Sequence, residues 1–200
     1  ITDTIYNASP FTFTAPEKVS DGTITYAITA ETDLANSVLT SGSVATINST
    51  TGEITMLRSG KVTVTATLSE TDKYTGGITT DATFVINKAT GTLSTLTITD
   101  KTYNISPFTF SAPGKVGDGS ITYAITAETD LANSVLDPGS VATINSTTGA
   151  ITMLRSGKVT VIATLSETTN YTGTTSTVTF VINKATGILS TLTITDQTYD

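Results

Sequence analysis

Apolar residues alternate with threonine at period 2, turn-forming dipeptides recur at short intervals, and the chain repeats itself once at an offset of 96 to 97 residues. Together these predict an all-β fold: two tandem immunoglobulin-like β-sandwich domains of about seven strands each.

The repeat is the clearest of the three. ITDTIYNASPFTF at 1–13 returns as ITDKTYNISPFTF at 98–110, and TFVINKATG at 83–91 returns at 179–187. Residues 1–77 and 98–174 differ at 14 positions and agree at 63. The period exceeds the roughly 20 to 50 residues of solenoid repeats and is the size of a whole small domain with its own core. The expected organisation is repeat 1 at 1–91, repeat 2 at 92–188 and the start of a third at 189–200, where ITDQTY at 194–199 begins a new copy. Ile1 and this partial copy are read as marks of a segment from a longer array.

Within a unit, Phe11 and Phe13 flank Thr12; Ile24, Tyr26 and Ile28 alternate with threonines and Ala27; Val62, Val64, Ala66 and Leu68 oppose Lys61, Thr63, Thr65 and Thr67. Phe84 and Ile86 continue the pattern, and Leu96 and Ile98 alternate with Thr95, Thr97 and Thr99. Threonine suits such strands because its branched Cβ fits the pleat while its hydroxyl meets water. Pro10, Pro16, Asp21-Gly22, Ser41-Gly42, Thr51-Gly52, Ser59-Gly60 and Gly76-Gly77 punctuate the strands. ETDLANSVL at 31–39 breaks the rhythm; it reads as a single helical turn capped by Asp33 or as an irregular loop. KATG at 88–91 and 184–187 reads as a short linker.

The run GSVATINSTTGEITMLRSGKVTVTATLSETDKY at 42–74, with Val44-Ala45-Thr46-Ile47, Gly52, Ile54 and Gly60 leading into VTVTAT, resembles a bacterial immunoglobulin-like domain of group 2. Its counterpart at 139–171 repeats each element. The resemblance implies an extracellular stalk or adhesin without enzymatic activity, as in very large repetitive surface proteins or fibres.

Composition narrows the chemistry. The chain has no Cys, His or Trp, which removes disulfides, imidazole bases and thiolate or imidazole metal sites. With Lys+Arg 10 against Asp+Glu 17, the net charge of -7 disfavours nucleic acid. No apolar run approaches the roughly 20 residues of a spanning helix, so no membrane insertion is expected in this segment. Threonine supplies 49 of the 200 residues, so solubility rests largely on hydroxyls.

No catalytic, cofactor-binding or metal residue is assigned from the sequence. Among the carboxylates present in both copies, Glu31 and Asp33 (Glu128 and Asp130) are two apart and suit a structural calcium ion; the plainer reading is a solvated loop with a cap. Asp3, Asp100 and Asp196 of the ITD segments are weaker candidates for the same ion. Lys61 and Lys88 suggest an amide crosslink to an Asn, with no partner identifiable. Asn7, Asn48, Asn104, Asn145 and Asn170 stand in N-x-Ser/Thr contexts. Tyr6, Tyr26 and Tyr74 with their copies are the aromatics available to a glycan.

The expected function is structural: a stalk or spacer repeat of a secreted or cell-surface adhesin or filament, extending a distal binding tip. Its partners would be neighbouring repeats of the same chain. The alternative is an adhesion module in which each repeat binds a surface glycan or protein through its loops. No enzyme is expected.

Overall fold

The computed structural model describes residues 1–7 and 9–193; the expected third-copy start at 194–199, with Asp196, lies outside the described residues. Fifteen strands and no helix make up the described chain. They are β1 (Thr4–Ile5), β2 (Ile24–Thr32), β3 (Ala45–Ile47), β4 (Ile54–Met56), β5 (Gly60–Leu68), β6 (Ile78–Asn87) and β7 (Thr92–Leu93). They continue as β8 (Lys101–Thr102), β9 (Lys115–Val116), β10 (Ile121–Thr129), β11 (Val135–Leu136), β12 (Ala142–Ile144), β13 (Ile151–Met153), β14 (Gly157–Leu165) and β15 (Thr174–Asn183). Two compact units result. Unit 1 comprises Ile1–Leu93, Gly114–Ser120 and Leu165–Thr174; unit 2 comprises Ser94–Pro113, Ile121–Thr164 and Thr175–Asp200.

In unit 1 one sheet runs β1-β6-β5-β2, with β5 antiparallel to both neighbours and β1 parallel to β6. The second layer is the β3-β4 hairpin, extended by a bridge from Phe11 to Ile54. Alternation does what the sequence requires: Val62, Val64 and Ala66 of β5 are buried while Lys61, Thr63 and Thr65 are half-buried on the other face. The core joins Tyr26, Val62, Val64, Phe84 and Ile86 of one sheet to Ala45, Ile54 and Met56 of the other, with Val44 just before β3. Phe11 meets Phe84 edge-on at 5.8 Å, and Phe13 meets Tyr26 at 5.3 Å. Gly52, at φ +74, closes the β3-β4 turn beneath those rings; a Cβ there would stand 3.1 Å from the Phe13 ring.

Unit 2 repeats the plan with a sheet ordered β11-β10-β14-β15-β8 and the β12-β13 hairpin. Val141, Ala142, Ile151, Val159, Val161, Phe180 and Ile182 form its core. Phe110 packs on Tyr123 at 5.2 Å.

Three local expectations are revised. Phe11 and Phe13 face the core, but the segment makes a single bridge and no continuous strand. Leu96 and Ile98 are buried as their alternation predicts, yet no strand forms there: the Leu96 N–H donates to Ser176 Oγ, so a side chain takes the place of a ladder partner. ETDLANSVL forms no helical turn. Asn36 adopts φ +69, the left-handed geometry that Asn tolerates, and the chain doubles back so that Thr32 bridges Val38. Its copy does the same, with Asn133 at φ +69 and β10 paired with β11.

Candidate interaction surface

Glu31 shows how a short irregularity changes a residue's role. Along β2 the inward positions are Ile24, Tyr26 and Ile28, so uninterrupted alternation would bring Ala30 inward. A register shift between Ile28 and Ala30 leaves Thr29 as the extra residue and turns Glu31 inward, opposite Val62. Glu31 is only 2% exposed. Its Oε2 accepts the Ser43 N–H at 2.8 Å, and its Oε1 accepts those of Val44 at 3.1 Å and Ala45 at 2.8 Å. Glu128 is equally buried and accepts the amides of Ser140, Val141 and Ala142. A buried carboxylate is costly unless its lone pairs are filled, and three amide donors fill them here.

The pairing of Glu31 with Asp33 that would suit calcium, the lesser of the two sequence readings, is not formed, and Glu31 is not in a solvated loop either: it points into the core and binds backbone. Asp33 instead caps the turn, accepting the Ser37 N–H at 2.8 Å, and Asp130 accepts those of Ser134 and Ala132. The backbone bond from Ser37 holds Asp33 below its usual carboxylate range, with smaller help from the Ala35 N–H and the Arg58 charge. Asp130 is lowered in the same way, first by the Ser134 backbone. A lowered folded-state value means the capping contribution is complete above the unfolded-state pKa and is lost as pH falls through the folded one. In an NMR titration the Ser37 and Ser134 amide shifts should therefore move only below the pH at which a free aspartate titrates. Asp33→Asn should abolish the Ser37 movement; its persistence would contradict the assignment.

The remaining candidates scatter. Asp3 and Asp100 accept the N–H groups of Val85 and Val181, both at 2.8 Å, and so continue the parallel pairing of β1 and β8 by side chain. Lys61 donates to the Asn36 amide oxygen and Lys158 to that of Asn133, both asparagines being exposed. Asn7, Asn48, Asn104 and Asn145 each accept a backbone N–H two residues ahead, the mark of a local turn. Tyr26 and Tyr123 belong to the cores, whereas Tyr74 is 44% exposed.

The residues that unit 1 does bring together include Lys88, Asn170 and Tyr6, each singled out by sequence for another role, but not as one group. They surround Ser59, Lys88 and Gly91, and they receive the segment 167–172. Ser59 is 2% exposed; its N–H donates to Asn170 Oδ1 at 3.0 Å and its hydroxyl donates to the Thr169 carbonyl. Lys88 pairs with Glu167. The Ala89 N–H donates to the Asn170 carbonyl at 2.8 Å, and the Thr172 N–H returns to the Ala89 carbonyl at 2.9 Å. Tyr6 and Tyr171 meet edge-on at 5.9 Å. Gly91 is required by this approach, because a Cβ there would lie 2.1 Å from the Thr172 carbonyl oxygen. β7 then pairs with β9. The expected linker Lys88–Gly91 is thus held by backbone and side-chain bonds inside unit 1. Only the retention of Ser59 and Gly91 at 156 and 187 hinted at this, and a repeat retains most residues.

No family model matches the chain, and no curated protein matches it. Among solved structures it is similar to the extracellular cadherin domains 3–6 of protocadherin gamma B2, at 14% identity and TM-score 0.39 over 82% of this chain and 43% of that one. Drosophila N-cadherin EC1-4 matches at 15% identity and TM-score 0.34, over 91% of this chain and 48% of that one. Human mucin-like protocadherin EC1-2 matches at 9% identity and TM-score 0.37, over 92% and 95%. The chain spans less than half the length of the first two. No helix among the described residues is long and apolar enough to cross a membrane. The fold class follows from the strand order itself: an all-β chain of tandem immunoglobulin-like sandwiches.

Proposed function

We propose that the chain is a run of spacer repeats from an extracellular adhesion protein or filament, with repeat 1 at 1–91, repeat 2 at 92–188 and a further copy beginning at 189–200, each of the bacterial immunoglobulin-like type. One observation carries this reading. Between copies the buried positions are unchanged, while substitutions such as Glu17 to Gly114 or Thr40-Ser41 to Asp137-Pro138 fall at exposed loop positions. A packed scaffold held constant while the loops at 17 and 40–41 vary is what a spacer requires; a module binding a glycan or protein through those loops would hold them constant. Acidic charge is not kept either, with 9 acids in 1–96 and 6 in 97–192.

Stretching single molecules of the chain tests the proposal. Each repeat should unfold in one step and release about 330 Å of contour, less its folded length, from roughly 3.4 Å per residue. A smooth extension without equal steps would refute it. Binding of the chain to immobilised glycans or to a cell-surface protein through its loops would favour the alternative.

A further inference from the structure

The surface around Ser59 has a counterpart in unit 2 that is built from the same residues and left open. Tyr103, Ser156, Lys184, Ala185 and Gly187 correspond to Tyr6, Ser59, Lys88, Ala89 and Gly91. Ser59 is buried, whereas Ser156 is only half-buried; Lys88 and Ala89 are half-buried, whereas Lys184 and Ala185 are exposed. The glycines differ most. A Cβ at Gly91 would strike the Thr172 carbonyl oxygen at 2.1 Å, while a Cβ at Gly187 would meet nothing within 4 Å. Neither glycine has positive φ, so backbone conformation does not explain Gly187. Among the described residues no hydrogen bond reaches the Ser156 or Ala185 amide, whereas Ser59 and Ala89 both donate.

We propose that this open surface docks the Glu-Thr-Thr-Asn-Tyr-Thr segment of another copy of the repeat, with Asn as the discriminating residue. Each element of the occupied surface has its donor or acceptor waiting on the open one: Lys184 for the glutamate, the Ser156 N–H for the Asn oxygen, the Ala185 N–H for the backbone carbonyl, and Gly187 for the close approach of a carbonyl. The corresponding segment of repeat 1 is Glu70-Thr71-Asp72-Lys73-Tyr74-Thr75. It carries lysine where the occupied surface uses asparagine. A lysine ammonium has no acceptor for the Ser156 N–H, and the preceding aspartate balances its charge without standing at the asparagine's position. The two segment types therefore sort copies: the Thr-Asn type docks, and the Asp-Lys type is disfavoured. Neighbour-to-neighbour order in an array would then be written in these two positions.

The inference deepens the spacer reading, since it requires that copies follow one another, but its test is separate from the stretching experiment. The full chain is lengthened by joining its residues 92–200 after Gly187, and backbone amide exchange is followed by NMR at Ser156 and Ala185. Docking predicts at least tenfold slower exchange at both than in the 200-residue chain, with Ser59 and Ala89 as slow-exchanging controls in each. Equal rates in the two chains would overturn the proposal. Two variants make the outcome specific. Gly187→Val, at a position with open space in the shorter chain, should leave folding intact and abolish the gain in protection. Placing Asp-Lys at the added copy's Thr-Asn pair should remove most of the gain; full protection with that segment would overturn the role of asparagine. Equal steps under force together with unprotected Ser156 would leave the spacer reading standing and remove only the docking.

Discussion

Glu31→Ala should lower the stability of the repeat 1 sandwich by about 3–5 kcal/mol, the range for removing one partner from a buried charged hydrogen-bond set. The alanine removes the acceptor for three N–H groups at 2.8 to 3.1 Å, and Val44 and Ala45, which supply two of them, are fully buried. With a small domain holding only about 5–15 kcal/mol in total, the melting midpoint should fall by tens of degrees, at roughly 4–8 °C per kcal/mol. Glu31→Gln keeps one acceptor oxygen but turns an NH2 group toward a donor, so it should cost about half as much. Calorimetry of both variants, with Glu128 untouched as the internal reference, decides the matter. If Glu31→Ala shifted stability by less than about 1 kcal/mol, the carboxylate would not be the anchor of the 43–45 segment.

Phe84→Ala is the second large effect, expected at about 3–5 kcal/mol. Phe84 is 1% exposed, pairs with Val62 in the β5-β6 ladder and stands in a T-shaped pair with Phe11. Truncation leaves a cavity between two layers whose strands are each fixed by their own ladder hydrogen bonds, so collapse around it is limited. Phe84→Leu should recover much of the loss. Urea unfolding would report the change as a lower midpoint at unchanged slope. A loss of under about 1 kcal/mol would mean that the inter-sheet space closes freely, contrary to the packing described.

The fold was legible where one rule acted alone. Alternation through Val62, Val64 and Ala66 identified β5 and its buried face, because burial of a two-layer core leaves period 2 no competitor. It failed where backbone geometry intervened. One extra residue at Thr29 moved Glu31 from an expected solvent loop into the core, and nothing in Ala-Ile-Thr-Ala-Glu distinguishes a bulge from regular pleating. A left-handed Asn36 turned the apparent helical spacing of Leu34 and Val38 into a reversal, although Asn three residues before Leu39 is compatible with either. The surface around Ser59 was illegible for another reason. Its partners lie 79 to 111 positions away and consist partly of backbone carbonyls, which carry no side-chain signature.

The parallel pairing of the first and last strands of a repeat sets how the proposed spacer would meet a pull along its length. β1 lies along β6 with Thr4 beside Ile86 and Ile5 beside Asn87, and β8 lies along β15 with Lys101 beside Ile182. Because the two strands run the same way, tension applied through the chain enters one at its leading end and leaves the other at its trailing end. The bonds between them, including those at 2.8 Å from the Val85 N–H to the Asp3 carboxylate and from the Tyr6 N–H to the Asn87 carbonyl, are then sheared side by side. An antiparallel pair loaded at adjacent ends would open like a zipper, one bond after another. As a spacer, a chain with few charges and no cysteine would oppose rupture through the angle at which a handful of hydrogen bonds meets the pull.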